Sequence, residues 1–178
     1  MLAFLEYIIR FLNEKEIAYM LSGSVAMSVY ILPRATRDFD FVIHLHPQDV
    51  EELTNHFKQG YYCDRDAIKE ALHRKTMFNI IDHASGFKAD FIILKDNEYR
   101  KMEFSRRGKV DFLGMPVYLV AAEDLLLSKL IWIQDIQSAI QMEDIKNLAN
   151  LQNLEWDYIK QWLKKLNLNT FGLLKYHE

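Results

Sequence analysis

Asp38 and Asp40 stand two residues apart in the run DFDFVI. In a strand, residues i and i+2 face the same side, roughly 6.6 Å apart along the chain, so the two carboxylates project together. Two carboxylates on one face repel each other unless they are solvated, share a proton or clamp a cation. A hard, oxygen-seeking ion such as Mg²⁺ removes the conflict. A third carboxylate, Asp90, lies in KADFII, where burying it unpaired among Phe91, Ile92 and Ile93 would be costly. Were Asp90 on a strand adjacent to the first pair, the patch could hold two metals about 3.5–4 Å apart, one lowering the pKa of an attacking hydroxyl and one balancing a leaving pyrophosphate.

By itself, an Asp-x-Asp pair more often marks a solvent-facing strand edge or a turn. Its company changes that balance. Upstream, LSGSVAM sets Gly23 and Ser24 between a short apolar strand and a helix-compatible stretch. Backbone N–H groups at such a turn suit phosphate oxygens, and the Ser24 hydroxyl adds a donor.

The elements that must position these groups follow from periodicity. Leu2, Leu5, Ile8, Ile9 and Leu12 recur at helical spacing in residues 1–12, which predicts a docked amphipathic helix. A strand over Ile17–Leu21, a helix over Val25–Leu32 stopped by Pro33, and a strand over Asp38–Leu45 come next. Helices are expected from Pro47 to about Lys58 and over Arg65–Lys75, with looser chain between them. Met77–Ile81 and Lys88–Leu94 read as an antiparallel hairpin, and residues 110–112 and 117–120 as a smaller one around Gly114. From Ala122 onward, Glu123–Ile133, Ile140–Leu151 and Trp156–Leu166 carry apolar residues at helical spacing. The expected class is α+β: a mixed twisted β-sheet with flanking helices, residues 1–121, followed by a C-terminal helical unit, residues 122–178, packed on that core.

Composition narrows the setting. The chain has 178 residues, half of them hydrophobic, and a net charge of -3, which suits an ordinary globular core and announces no polynucleotide-coating surface. A single cysteine, Cys63, permits no intrachain disulfide and points to a reducing, cytoplasmic setting. No apolar run approaches the ~18 residues of a membrane span, and the first helix lacks the features of a signal peptide, so no membrane role is expected.

The segments LSGSVAMSVYILPRATRDFDFVI and KADFII resemble the DNA polymerase β-type nucleotidyltransferase superfamily, whose pattern is a Gly-Gly or Gly-Ser turn, a two-Asp strand and a later single Asp. PVYLVAAEDLLLSKLIW and SAIQMEDIKNL are similar to segments of its small bacterial members, including the AbiEii-like toxin group; the likeness spans residues 17–151. It implies the nucleotidyltransferase fold and transfer of an NMP group from an NTP to a hydroxyl acceptor on RNA such as tRNA, a protein or a small molecule. It further implies two Mg²⁺ ions, with Mn²⁺ as a substitute. By the same resemblance Gly23 and Ser24 would bind the triphosphate. Asp38 and Asp40 would ligate both metals, and Asp90 would ligate the catalytic metal and help deprotonate the acceptor. Lys129, on the helix after EDLLLSK, would offer a cation to the triphosphate, or simply be solvated. Arg34 and Arg37 could grip phosphate or neutralise Asp38.

Within that set a toxin-like or regulatory transferase, with an antitoxin partner or as a homo-oligomer, is favoured because the chain is short and resembles the toxin group. The alternative is a catalytically silent nucleotide-binding or partner-binding module of the same fold. Arg106, Arg107 and Lys109 read as a solvated basic loop. His44 and His46 lack the further ligands of a zinc site, Cys63 lacks a base partner, and Trp132, Trp156 and Trp162 are expected to pack the helical unit rather than stack on a ligand.

Overall fold

Hydrophobic alternation in DFDFVI and KADFII decides the centre of the molecule. In a computed structural model, which describes residues 2–32 and 35–174, these segments form strands β2 (Asp38–Ile43) and β5 (Lys88–Ile93). They pair in parallel with Asp38 opposite Lys88, Asp40 opposite Asp90 and Val42 opposite Ile92. Phe39, Phe41, Ala89 and Phe91 fill one face of the sheet, and the charged residues are left to the other. The Phe41 and Phe91 rings stack at 5.2 Å and Phe78 follows at 5.0 Å. A slip of one residue would drive both aspartates into this aromatic layer, so the register is strongly specified.

The remaining strands complete a seven-stranded mixed sheet of order β3-β4-β5-β2-β1-β7-β6. Here β1 is Tyr19–Ser22, β3 Tyr61–Cys63, β4 Met77–Asp82, β6 Gly108–Phe112 and β7 Met115–Leu119. The β4–β5 and β6–β7 hairpins are antiparallel as expected. Leu113 and Gly114 turn the second hairpin, both at positive φ, the geometry that matches strand twist in a two-residue loop. Helices α1 (Leu2–Glu14), α2 (Gly23–Tyr30), α3 (Val50–His56), α4 (Arg65–Arg74) and α5 (Glu98–Ser105) accompany the sheet. They are followed by α6 (Ala122–Asp135), α7 (Ala139–Ala149) and α8 (Trp156–Lys165). One continuous apolar core runs from Leu5 and Ile8 of α1 through Leu21, Phe41 and Leu119 to Leu126, Ile145 and Ile159. Among the described residues no helix is long and apolar enough to cross a membrane. The helix stop expected of Pro33, and any role of Arg34, lie outside the described residues.

Two elements differ from the sequence expectation. The chain between α3 and α4, read as loose, contributes edge strand β3, whose three residues are too few to show a period. Helix α5 was not expected because its inward positions are Tyr99, Glu103 and Phe104, and a buried carboxylate interrupts the apolar stripe.

His56 ends α3 in an aromatic sandwich, its ring 4.4 Å from Tyr7 and 4.3 Å from Phe11, with Nε2 buried and no hydrogen-bond partner. Burial holds its pKa below the ordinary value, with Glu14 and Lys15 contributing smaller opposing effects. Between the lowered folded pKa and the unfolded value near 6.5, the unfolded chain binds more protons, so stability falls as pH drops through this window. His44, lowered in the same direction by burial and by His46, adds to the slope. Urea unfolding of His56→Phe at pH 7.5 and 5.5 is expected to show a shallower acid loss than the parent protein; an identical slope would remove His56 from the explanation.

Candidate active site

Sheet register collects the candidate residues. Ser22 at the end of β1 pairs with Asp40, Asp40 with Asp90, and Asp90 with Asn79 of β4, so Ser22, Asp40, Asp90 and Asn79 form one cross-sheet row on one face. Asp38 and Lys88 form the row beside it. The expected adjacency of Asp90 to the Asp38–Asp40 strand is therefore present, through parallel pairing that lies outside the reach of a local pattern.

The Gly-Ser turn closes on the same row. Gly23 opens α2 directly after β1 with φ +64°, and a Cβ placed on it would lie 1.9 Å from Asp40 Oδ2 and 2.9 Å from Asp40 Cβ. Only glycine allows both the left-handed backbone and this approach. The Ser22 side chain does not cap α2, whose N-terminus opens at Gly23 beside Asp40. Ser24 follows in that first turn, half-buried.

Burial pushes the Asp40 carboxyl above the usual range, and the neighbouring Asp90 and Asp38 push it further; Lys129 and Lys88 pull the other way. Lys88 Nζ sits 2.8 Å from Asp90 Oδ2 and 3.8 Å from Asp38 Oδ1. Asp90 Oδ1 is buried with no hydrogen-bond partner. A buried, orphaned carboxylate oxygen beside a carboxyl already strained by like charge is the donor chemistry a hard divalent cation satisfies. As the side chains are placed, no three His, Cys, Asp or Glu residues among those described group closely enough to hold a metal ion. The donor chemistry of Asp38, Asp40 and Asp90 suits a hard cation, but the three carboxylates do not converge on one position, and Lys88 lies between Asp38 and Asp90.

Arg37 is exposed immediately before β2, its carbonyl accepting the Lys88 backbone N–H. Lys129 is not a solvated helical lysine: it is buried, with Nζ 2.8 Å from both Asp144 Oδ2 and Gln141 Oε1, and it ties α6 to α7.

Beyond the carboxylate row the same face continues as Val42 and Ile92, which with Ser22 floor a cavity of about 340 Å³. Ser128, Ile131 and Trp132 of α6 form one wall, and Arg100 and Glu103 of α5 another. Glu103 is buried, which raises its pKa; Arg100 and the Ser128 hydroxyl, which hold its two oxygens at 2.7 and 2.5 Å, pull it back. Periodicity could not reveal this network, since Arg100, Glu103 and Ser128 come from two helices far apart in sequence.

Three expectations are corrected. Trp132 does not pack the helical unit as Trp162 does; it is 46% exposed and lines the cavity. Arg106 is not solvated: its guanidinium bonds Asp124, Glu123 and Glu155 and lies 4.0 Å over the Tyr158 ring. Arg107 stacks at 4.1 Å on Phe104 and donates to the Phe104 carbonyl. Burial raises the Cys63 thiol to about 11, which removes it as a nucleophile.

No family model matches the sequence, and no curated protein matches it. Solved structures do. The lincosamide antibiotic adenylyltransferase LnuA, lincomycin-bound, is similar with a TM-score of 0.57 at 15% identity over 82% of this chain and 94% of that one. ANT(2")-Ia in complex with adenylyl-2"-tobramycin matches with a TM-score of 0.61 at 10% identity, covering 93% of this chain and 95% of that one. JHP933 from Helicobacter pylori matches with a TM-score of 0.52 at 17% identity, over 91% and 70%. The chain has the nucleotidyltransferase fold.

Proposed function

We propose that this chain transfers a nucleoside monophosphate from an NTP to a hydroxyl of a small-molecule acceptor. The reading is carried by one observation: Asp38, Asp40 and Asp90 share a sheet face, against the Gly23 turn, on a nucleotidyltransferase fold. The backbone N–H groups at the start of α2 and the Ser24 hydroxyl would receive phosphate oxygens, with Arg37 at the rim. Asp38, Asp40 and Asp90 would hold two Mg²⁺ ions, for which Mn²⁺ can substitute, and bound metal would activate the acceptor hydroxyl and neutralise the departing pyrophosphate. Asp90, the most enclosed of the three, would help take the acceptor proton. Lys129 supports the site at longer range by offsetting negative charge on Asp40.

For the acceptor, the cavity beside the carboxylate row supports a small molecule. Its 340 Å³ falls in the range of small-ligand sites, its floor is apolar, and Trp132 offers a flat wall. Arg106 and Arg107 are engaged within the protein and so are not offered to a polynucleotide acceptor. The neighbours named for antibiotics are consistent with this direction. The test incubates protein, labelled NTPs and Mg²⁺ with a panel of polyhydroxyl small molecules, and in parallel with tRNA and cell protein. Label appearing on small molecules supports the proposal; label confined to RNA or protein rejects this acceptor class.

Gly23→Ala probes the turn. Left-handed backbone costs about 1–2 kcal/mol for a residue with a Cβ, and the new atom must push Asp40 aside. A fall of at least that size in urea-derived stability is expected, together with reduced labelling; a stable and fully active variant would show that the turn and Asp40 are not coupled.

A further inference from the structure

Lys88 has no part in the reaction just described, yet it lies at the middle of the carboxylate face. It is opposite Asp38 in the parallel β2–β5 register and two residues before Asp90 on the same face of β5. Its ammonium bridges the strands, 2.8 Å from Asp90 Oδ2 and 3.8 Å from Asp38 Oδ1. Among the described residues Asp90 Oδ1 has no hydrogen-bond partner and Asp40 forms no ion pair, although the charges of Lys88 and Lys129 reach it. Lys88 thus holds the oxygens that a divalent cation must take to engage Asp38 and Asp90 together. An ammonium and a divalent ion cannot both crowd those oxygens without strong like-charge repulsion.

We propose that Lys88 is the resident counter-ion of the metal-free site and that a divalent cation binds by displacing its ammonium. This rests on the metal site proposed above and adds a competition to it. The consequence is an order of binding: metal alone has to overcome Lys88. A metal arriving with an NTP brings phosphate oxygens that can receive the released ammonium on its flexible stem. Lys88 would thereby disfavour free metal and favour the metal–nucleotide complex, without touching the reacting atoms. It is a positioning residue.

Mn²⁺ binding to the full-length protein, measured by electron paramagnetic resonance without nucleotide, tests this. Lys88→Met removes the competitor and is expected to bind Mn²⁺ about tenfold more tightly than the parent; Lys88→Arg, which keeps the charge, should remain weak. Without metal Lys88→Met should melt at lower temperature, and saturating Mn²⁺ should raise its melting temperature more than the parent's. Equal or weaker Mn²⁺ binding by Lys88→Met overturns the inference and leaves the metal site standing. Absence of Mn²⁺ binding by the parent and all variants overturns both. If Lys88→Met does not fold, ¹⁵N-lysine NMR of the parent decides: a Lys88 Nζ resonance that moves with Mg²⁺ saturation supports displacement, and one that stays fixed while Mg²⁺ binds refutes it.

Discussion

Asp40→Asn is expected to abolish nucleotidyl transfer while leaving the protein folded and, without metal, at least as stable as the parent. Asp40 is the centre of the carboxylate row, paired with Asp90 on one side and Ser22 on the other, with the Gly23 turn against its side chain. Asparagine keeps the shape and removes an anionic ligand. Loss of metal-held charge stabilisation is worth several kcal/mol, so labelling should fall by about 10³-fold or more. The stability expectation has the opposite sign for a simple reason. Burial first, then Asp90 and Asp38, disfavour the charged form of Asp40, so neutralising it relieves repulsion when no cation is bound. Labelling assays paired with thermal unfolding in chelator check both halves. Retained labelling would remove Asp40 from the chemistry, and a large drop in melting temperature would mean that its charge is structural.

The opposite signs expected of those effects bear on how much of the candidate site could be read from the sequence. Carboxylates that destabilise the chain on which they stand are conspicuous in a hydrophobic strand, and Asp38, Asp40 and Asp90 stood out for that reason, as did the glycine turn that opens a helix. Strand periodicity also located β2 and β5. What periodicity could not supply was their mutual register, because parallel partners lie far apart in the chain and the pairing brings Phe41 and Phe91 together as a stacked pair. Lys88 was invisible for the same reason: only the register sets it against Asp38. Charged residues far from the strands were misread in a consistent way. Lys129 and Arg106 look like solvated cations on a helix or loop, since burial of a cation depends on carboxylates supplied by other helices, here Asp144 and Asp124.

Arg106→Met should be among the most destabilising single changes in the molecule, at about 3 kcal/mol near neutral pH. Asp124 is fully buried, with one oxygen held by Arg106 Nε at 3.0 Å and the other by the Tyr158 hydroxyl at 2.6 Å. Breaking a buried pair by removing one partner typically costs about 3–5 kcal/mol, because the remaining charge is left without compensation. The loss should depend on pH in a defined direction. Burial already raises Asp124, and Tyr158 and Arg106 offset it; without Arg106 its folded pKa rises further above the unfolded value near 3.9. Between those two values the folded protein binds more protons than the unfolded chain, so the variant loses stability as pH rises through the window. Urea unfolding at pH 4.5 and 7.5 should therefore show the larger deficit at pH 7.5. A deficit independent of pH would assign the cost to lost packing over Tyr158 instead. Arg106→Met combined with Asp124→Asn should recover part of the stability, since it removes the fully buried charge and leaves the less enclosed Glu123 without its cation. Asp124 and Tyr158 join α6 to α8, and α6 also carries Ser128 and Trp132. The cavity wall is accordingly expected to loosen in the single variant and tighten again in the double one, so acceptor KM should follow stability across the pair.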